Sequence, residues 1–176
     1  MIAAATGTPQ LQRDPPTPYV LDPARLPDHI DVLYRAAWAM CGTPMDAEDL
    51  VQTTFERVLK RRRIIRSGNE RAYLLKALRN TYASHCRARA RRPMTVPLIE
   101  DDVAPAAKPV TVTSSEIMQA VAATPPLFRD AVIAVDVLGL SYREAARSLH
   151  TREPTLATRL HRGRQHVARE LIVRGV

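Results

Sequence analysis

Two cysteines are all that the 176 residues contain, Cys41 and Cys86, and they lie far apart with no CxxC pair. That excludes a disulfide framework and the closely spaced thiolates of a structural zinc site. Other metal donors are as scarce. His161 and His166 are five apart on one expected helix and His85 adjoins Cys86, with no further ligands at helical spacing, so no metal is expected. No Ser/His/Asp set, glycine-rich phosphate loop or pair of catalytic acids stands out, which leaves an enzyme reading without residues and gives no cofactor to hold. No apolar run approaches the roughly 20 residues of a membrane-spanning helix, and "MIAAATGTPQ" has neither a basic start nor a long apolar core. The expectation is a soluble, cytoplasmic chain without a membrane partner. Nor does any alternating run rich in β-branched residues occur, so no strand is expected either.

What the chain has is basic charge, unevenly placed. A formal net charge of +8 makes nucleic acid the simplest partner, ahead of an acidic membrane surface or an acidic protein. Residues 1–59 sum to −4, residues 60–92 to +11, residues 93–142 to −4 and residues 143–176 to +5. Two basic blocks separated by an acidic one suggest two contact surfaces rather than one. The length allows one ordinary domain or two small ones.

Prolines mark the boundaries. Pro9, Pro15, Pro16, Pro18, Pro23 and Pro27 crowd one end of the first ordered region, and Pro93, Pro97, Pro105 and Pro109 the other. Each removes an amide donor and disfavours helix at the residue before it, which predicts a disordered tail over 1–27 and a flexible linker over 93–113. Between them lies one helical domain, 28–92, and after them a second, 114–176; the fold class is all-α. Three stripes of helical period fill the first: Ile30, Leu33, Ala37, Trp38 and Cys41; Leu50, Val51, Phe55, Val58 and Leu59; and Leu74, Leu75, Leu78 and Tyr82. "CGTP" (41–44) ends the first helix, Asp46 is the expected N-cap of the second, and the turn-forming "SGNE" (67–70) opens the third. In the second domain "TSSE" (113–116) and "SYRE" (141–144) read as capping boxes, "TPP" (124–126) as a stop, and Gly139 as a helix end.

Two constellations carry chemistry. In the C-terminal pair, a short helix with Ala145 and Ala146 permits close packing, and a longer one exposes Thr155, Thr158, Arg159, Arg162 and Arg164. That is the plan of a helix-turn-helix, whose second helix enters the major groove; an ordinary helix pair with a solvated basic face is the plainer alternative. Pro154 is tolerated within a first turn, so this helix should start at Glu153 or Pro154 with Arg152 just before it. Arginine bonds guanine bidentately and threonine touches the thymine methyl, making Thr158, Arg159 and Arg162 candidates for base contact. The other constellation is residues 69–93, a narrow apolar stripe whose remaining faces carry arginine, Lys76, Asn80, Tyr73 and Tyr82. Cationic tracks with aromatic platforms and amides hold single-stranded DNA, although a solvated amphipathic helix with a basic end would look similar.

In their order and spacing these segments resemble the extracytoplasmic-function (ECF) sigma factors of the sigma-70 family, which supply promoter recognition to bacterial RNA polymerase. "DAEDLVQTTFERV" (46–58) is similar to the polymerase-binding helix of region 2, "AYLLKALRN" (72–80) to its promoter-melting segment, and "LGLSYREAARSL" with "EPTLATRLHRGRQHV" (138–167) to region 4. The resemblance covers about residues 28–173. It implies that Asp46, Glu48, Asp49, Leu50, Val51 and Gln52 face the coiled-coil clamp of the polymerase's largest subunit. Asn80, with the loop following it, would form the pocket for a base flipped from the non-template strand of the −10 element. Flipping costs a few kcal/mol, which a hydrogen-bonding Asn helps offset. Tyr73, Lys76 and Arg79 match the melting segment, and Arg87 with the arginines after it would hold the adjoining duplex. Ala157, Thr158, His161, Arg162 and Arg164 fall where the recognition helix meets the −35 element.

Departures from the family pattern bear on base preference. Tyr73 stands where Trp is common, His150 where the turn usually has glycine, Pro154 where Gly is usual, and Ala157 at a frequently basic position. The acidic "EDD" (100–102) in the linker would be an RNA mimic in the polymerase's RNA path by resemblance, or simply a solubilising run. The implied partners are core RNA polymerase and promoter DNA, and the family often adds an anti-sigma factor. Residues 46–52 distinguish this reading from a stand-alone helix-turn-helix regulator or an RNA-binding adaptor, neither of which needs them.

Overall fold

The fold is assembled from helices that each bury one stripe, in the order the periodicity dictates. The computed structural model describes residues 18–60, 64–65, 69–91 and 113–175. Helix α1 spans Ile30–Cys41, α2 Pro44–Leu59, α3 Glu70–Ala90, α4 Ser114–Ala123, α5 Pro126–Val132, α6 Tyr142–Ser148 and α7 Glu153–Val173. Helix α5 runs on through a π-helical turn, Ile133–Val137.

Caps explain most of these bounds. Thr113 and Ser141 both form complete capping boxes, with Glu116 and Glu144 respectively, and Asn69 accepts from the Ala72 amide to open α3. Gly42 closes α1 at φ +87° and Gly139 follows the π turn at φ +67°, a region where an L side chain is strained. His150 takes the same left-handed conformation, φ +52°, in the turn between α6 and α7, a conformation that ordinarily favours glycine. Helix α7 does start at Glu153, with Pro154 in its first turn.

Three expectations need correction. The cap of α2 is Thr43, not Asp46: Pro44 occupies the first helical position, where its missing N–H costs nothing, and the Thr43 hydroxyl accepts from the Asp46 amide at 3.2 Å. Residues 19–27 belong to the fold and not to a disordered tail. Pro23–His29 forms a 3₁₀ helix that buries Leu26, and the fixed φ of Pro23 and Pro27 suits that turn as well as an extended chain. A short strand pair also exists, β1 (Tyr19–Val20) antiparallel to β2 (Ile64–Ile65), with Tyr19 opposite Ile65. It is too short for any periodicity to announce. Residues 1–17, and the linker acids Glu100, Asp101 and Asp102, lie outside the described residues.

The 3₁₀ segment is fastened to α3 by a buried carboxylate. Glu70 receives the His29 imidazole Nε2 at 2.8 Å and the Arg25 guanidinium at 3.2 Å. Burial, and next the Glu70 charge, push the neighbouring Tyr19 phenol up.

The two helical groups do not stand apart. One continuous apolar core runs from Leu21 and Leu33 through Leu50, Leu74 and Leu78 to Ile133, Leu138, Leu156 and Leu160. Each large side chain buried there contributes roughly 1.5–3 kcal/mol relative to exposure. Helix α1 packs on α4, and α3 on α6. Helices α5 and α7 approach closely at Gly163, where an added Cβ would lie 2.6 Å from Val132 Cγ2 and 2.9 Å from the Phe128 carbonyl oxygen. We therefore expect Gly163→Ala to destabilise the fold by about 1–3 kcal/mol, read from the midpoint of chemical denaturation, because backbone cannot rotate away as a side chain can.

Cys41 lies at the edge of this core, half-buried, with its thiol directed at the Asp46 carbonyl at 3.8 Å. Burial, and next the Asp46 charge, push it up to about 12. Only about one part in 10⁴ is then thiolate at pH 8, and thiolate is the reactive form. Iodoacetamide at pH 8 should alkylate the exposed Cys86 and spare Cys41 in the folded chain, with both modified after denaturation; mass spectrometry of peptides separates the two.

Candidate functional site

Three surfaces hold the residues singled out from the sequence, and each is set by the stripe its helix buries. On α2, burial of Ala47, Leu50, Val51, Thr54 and Val58 turns Glu48, Asp49 and Gln52 to solvent. Leu50 and Val51 are therefore core residues rather than part of a contact surface, which corrects the expectation that they face a partner; their role is to fix the register of the acids beside them. Asp46 is exposed but engaged by its own cap, accepting from the Thr43 hydroxyl at 2.8 Å. The exposed face gains two residues that the sequence reading missed. Met45, 78% exposed, and Glu56, which accepts from Gln52 at 3.2 Å, continue it at helical spacing. Among the described residues no ion pair engages Glu48 or Asp49.

Helix α3 presents a different arrangement. Leu74, Leu75 and Leu78 are wholly buried, and Lys76, Asn80 and Arg87 are exposed. Asn80 sits in mid-helix: its carbonyl accepts from Ser84 at 2.9 Å and the helix continues to Ala90. No loop follows Asn80, so a pocket built from it and a succeeding loop is not present in this arrangement. Arg87 bonds Ser84 at 3.2 Å and leads a run of exposed arginines, Arg87, Arg89 and Arg91, at the helix C-terminus, where cations match the helix dipole. Tyr73 is half-buried beside Lys76 in a cleft of about 260 Å³ that Glu144 and Arg147 of α6 also line. Arg79 is not free: its guanidinium meets Asp130 of α5 at 2.7 and 2.9 Å.

A second cleft, about 640 Å³, joins constellations that lie far apart in the sequence. Asp46 and Asp49 of α2 face Tyr82, His85 and Arg89 of α3 across it. Among the described residues no group of histidine, cysteine and acidic side chains is arranged to hold a metal ion.

The third surface is the first half of α7. Leu156, Leu160 and Gly163 are buried, which leaves Thr155, Thr158, His161 and Arg162 outward, with Ala157 and Arg159 half-exposed and Arg152 at the cap. Phe128 braces this helix from behind: His166 stacks on its ring at 5.6 Å and the Arg162 guanidinium lies 5.9 Å from its centroid. Arg164 makes a two-pronged pair with Asp136 at 2.6 and 3.0 Å, so part of its donor set is already committed. The Thr158 hydroxyl donates to the Pro154 carbonyl at 3.1 Å. Phe128 belongs to the apolar stripe Phe128, Ala131, Val132 and Val135 that the sequence shows, whereas Asp130 and Asp136 leave only the net −4 of the central segment as their trace.

These surfaces map onto known regions. The family description of sigma-70 region 2 matches residues 28–92, and that of sigma-70 region 4 matches residues 114–167. The chain is similar, at 33% identity over 146 residues, to the ECF RNA polymerase sigma factor SigE of Mycolicibacterium smegmatis; the match covers 79% of this chain and 57% of that relative. The chain thus spans somewhat more than half the length of that curated relative. In fold it is similar to the sigma factor RpoE of Bartonella quintana, solved with the anti-sigma factor NepR, with a TM-score of 0.63, 23% identity, and 86% of this chain and 99% of the other covered. It is likewise similar to CnrH, solved in complex with the cytosolic domain of CnrY, with a TM-score of 0.57, 16% identity, and 85% and 86% of the two chains covered. With both regions present, in order, over more than half of its length, the chain belongs to the sigma-70 family, in its extracytoplasmic-function group.

Proposed function

We propose that this chain binds core RNA polymerase and directs it to promoters, α7 meeting the −35 duplex and α3 recognising and opening the −10 element. The observation that carries this reading is the state of the α2 acids. Glu48 and Asp49 are exposed, unpaired among the described residues, and held in register by buried Leu50 and Val51. A helix start needs one or two acids for its dipole, and Asp46 already serves there. Glu48, Asp49 and Gln52, with Met45 beside them, form a face suited to a basic, partly apolar partner such as the polymerase clamp.

The C-terminal pair supports the duplex contact. Helices α6 and α7 are joined by the short turn at 149–152, and the exposed side of α7 offers Thr158 and Arg162 in the arrangement of a helix-turn-helix recognition helix. On α3, Lys76, Asn80 and the arginines from 87 onward form the cationic track for the −10 strand and adjoining duplex. An anti-sigma factor that holds the chain inactive is the further partner the family brings.

Run-off transcription with core polymerase on a cognate promoter tests the reading. Asp49→Arg should weaken core binding by at least about tenfold while leaving duplex binding unchanged, since it reverses a charge only the polymerase meets. Arg162→Ala should weaken binding to the −35 duplex by roughly 1–3 kcal/mol if it reads a base, and a library of −35 variants shows which position relaxes. A chain that binds DNA tightly alone and never retains core enzyme would instead be a stand-alone regulator.

A further inference from the structure

Phe128 is a large aromatic side chain that the apolar core does not take up. It falls on the stripe of α5, yet it stands outside both the cluster of buried residues and the half-buried ones packed against it. Its neighbour Arg129 is the one turned inward, 8% exposed, toward the Tyr82 ring. What the Phe128 ring meets is α7. The His166 ring stacks on it, with centroids 5.6 Å apart and planes 21° from parallel, and the Arg162 guanidinium carbon lies 5.9 Å from its centroid. Arg162 and His166 are four residues apart on one helix, so a single ring serves both. Gly163 permits this: with no Cβ there, the backbone at Phe128 comes against α7 beside the residue that precedes the glycine.

A ring face holds a guanidinium without using its donors. Arg164 shows the other way of holding one, since Asp136 takes its Nε at 3.0 Å and its Nη2 at 2.6 Å, which commits two N–H directions and answers the charge. Arg162 is exposed and has neither a hydrogen bond nor an ion pair among the described residues. Its full fork of N–H groups stays available, as bidentate contact to guanine requires. An arginine on an open helix face loses rotamer freedom when it binds, and that cost falls when the side chain is already held.

We propose that Phe128 is a positioning residue for recognition of the −35 duplex: its ring, kept in place by the stacked His166, holds the Arg162 guanidinium on the exposed side of α7, and the base discrimination made by Arg162 depends on it. Phe128 needs no contact with DNA for this. The assignment rests on the reading of α7 as the helix that meets the −35 element.

The test uses holoenzyme assembled from core polymerase and the full chain. Its probes are duplexes carrying the −35 sequence that wild-type holoenzyme selects from a random library, together with their single base-pair variants. Phe128→Leu keeps apolar bulk and removes the ring face. It should weaken binding of the selected duplex by about 2- to 10-fold, as expected from an exposed cation–π contact plus lost pre-organisation. Discrimination at the base pair that Arg162 reads should flatten, while other positions keep theirs. Phe128→Tyr, which retains a ring, should restore both. In an Arg162→Ala background Phe128→Leu should cost nothing further, because the group it positions is gone. Equal loss from Phe128→Leu with and without Arg162 would mark a purely structural brace and overturn the proposal, as would unchanged affinity and discrimination in the single variant. Should Phe128→Leu fail to fold, Phe128→Met, flexible enough to fill the same space, carries the same expectations and the same refutations. If Arg162→Ala alone leaves binding and discrimination untouched, the reading of α7 itself falls, and the positioning role with it.

Discussion

Helix α3 is claimed from two sides, and the rest of the molecule follows from that. Leu74, Leu75 and Leu78 have no exposed surface, because α1 and α2 close over them. The flank that carries Ala72, Arg79 and Tyr82 is taken by α5 and α6. A helix buried on one stripe and bonded along the next cannot also offer those flanking groups to DNA. What it does offer, Lys76, Asn80 and the arginines from 87 onward, is the remainder left over by packing. Two packing interfaces therefore share one helix, and only its solvent face is uncommitted.

The acids divide in the same way. Glu70, Asp130 and Asp136 each answer an arginine or histidine inside the molecule, and the last two bring the acidic central segment against both basic blocks. The strength of these pairs differs with exposure. Arg164 remains 55% exposed beside Asp136, so that pair is screened and contributes little. Glu70 is 5% exposed, and removal of Arg25 would leave its buried carboxylate with only the His29 imidazole beside it. Glu48 and Asp49 have no such partner among the described residues. Asp49 lies across a cleft from His85 and Arg89 of α3, and Glu48 is exposed to solvent.

Much of this was legible in the sequence because helices announce themselves through period and caps. The boxes at Thr113 and Ser141, the glycine stops at 42 and 139, and the start of α7 at Glu153 all depend on groups within four residues of one another. Other features are not local. Leu50 and Val51 lie in a motif whose acids face outward, and only the position of α1 and α3 shows that the apolar pair faces inward. Residues 19–27 read as tail because their prolines disfavour regular helix, whereas Leu21 and Leu26 find a core to enter. Asn80 looked like the end of a segment, but the helix propensity of "TYASHCRARA" carries α3 another three turns. Asp130 belongs to no motif at all. Its meaning comes from lying 51 residues from Arg79 in sequence and 2.7 Å from it in space.

Salt separates the two uses of Arg79. Contacts to phosphate weaken steeply as counterions compete, since each neutralised phosphate releases a condensed cation. The Arg79–Asp130 pair is one interaction, partly shielded from water by α5, and apolar or neutral contacts add to the closure around it: α1 against α4, and Ser148 on the Ala72 carbonyl. Rising ionic strength therefore weakens promoter binding faster than it weakens closure. In physiological salt the closed arrangement therefore holds better than an exposed contact to phosphate does.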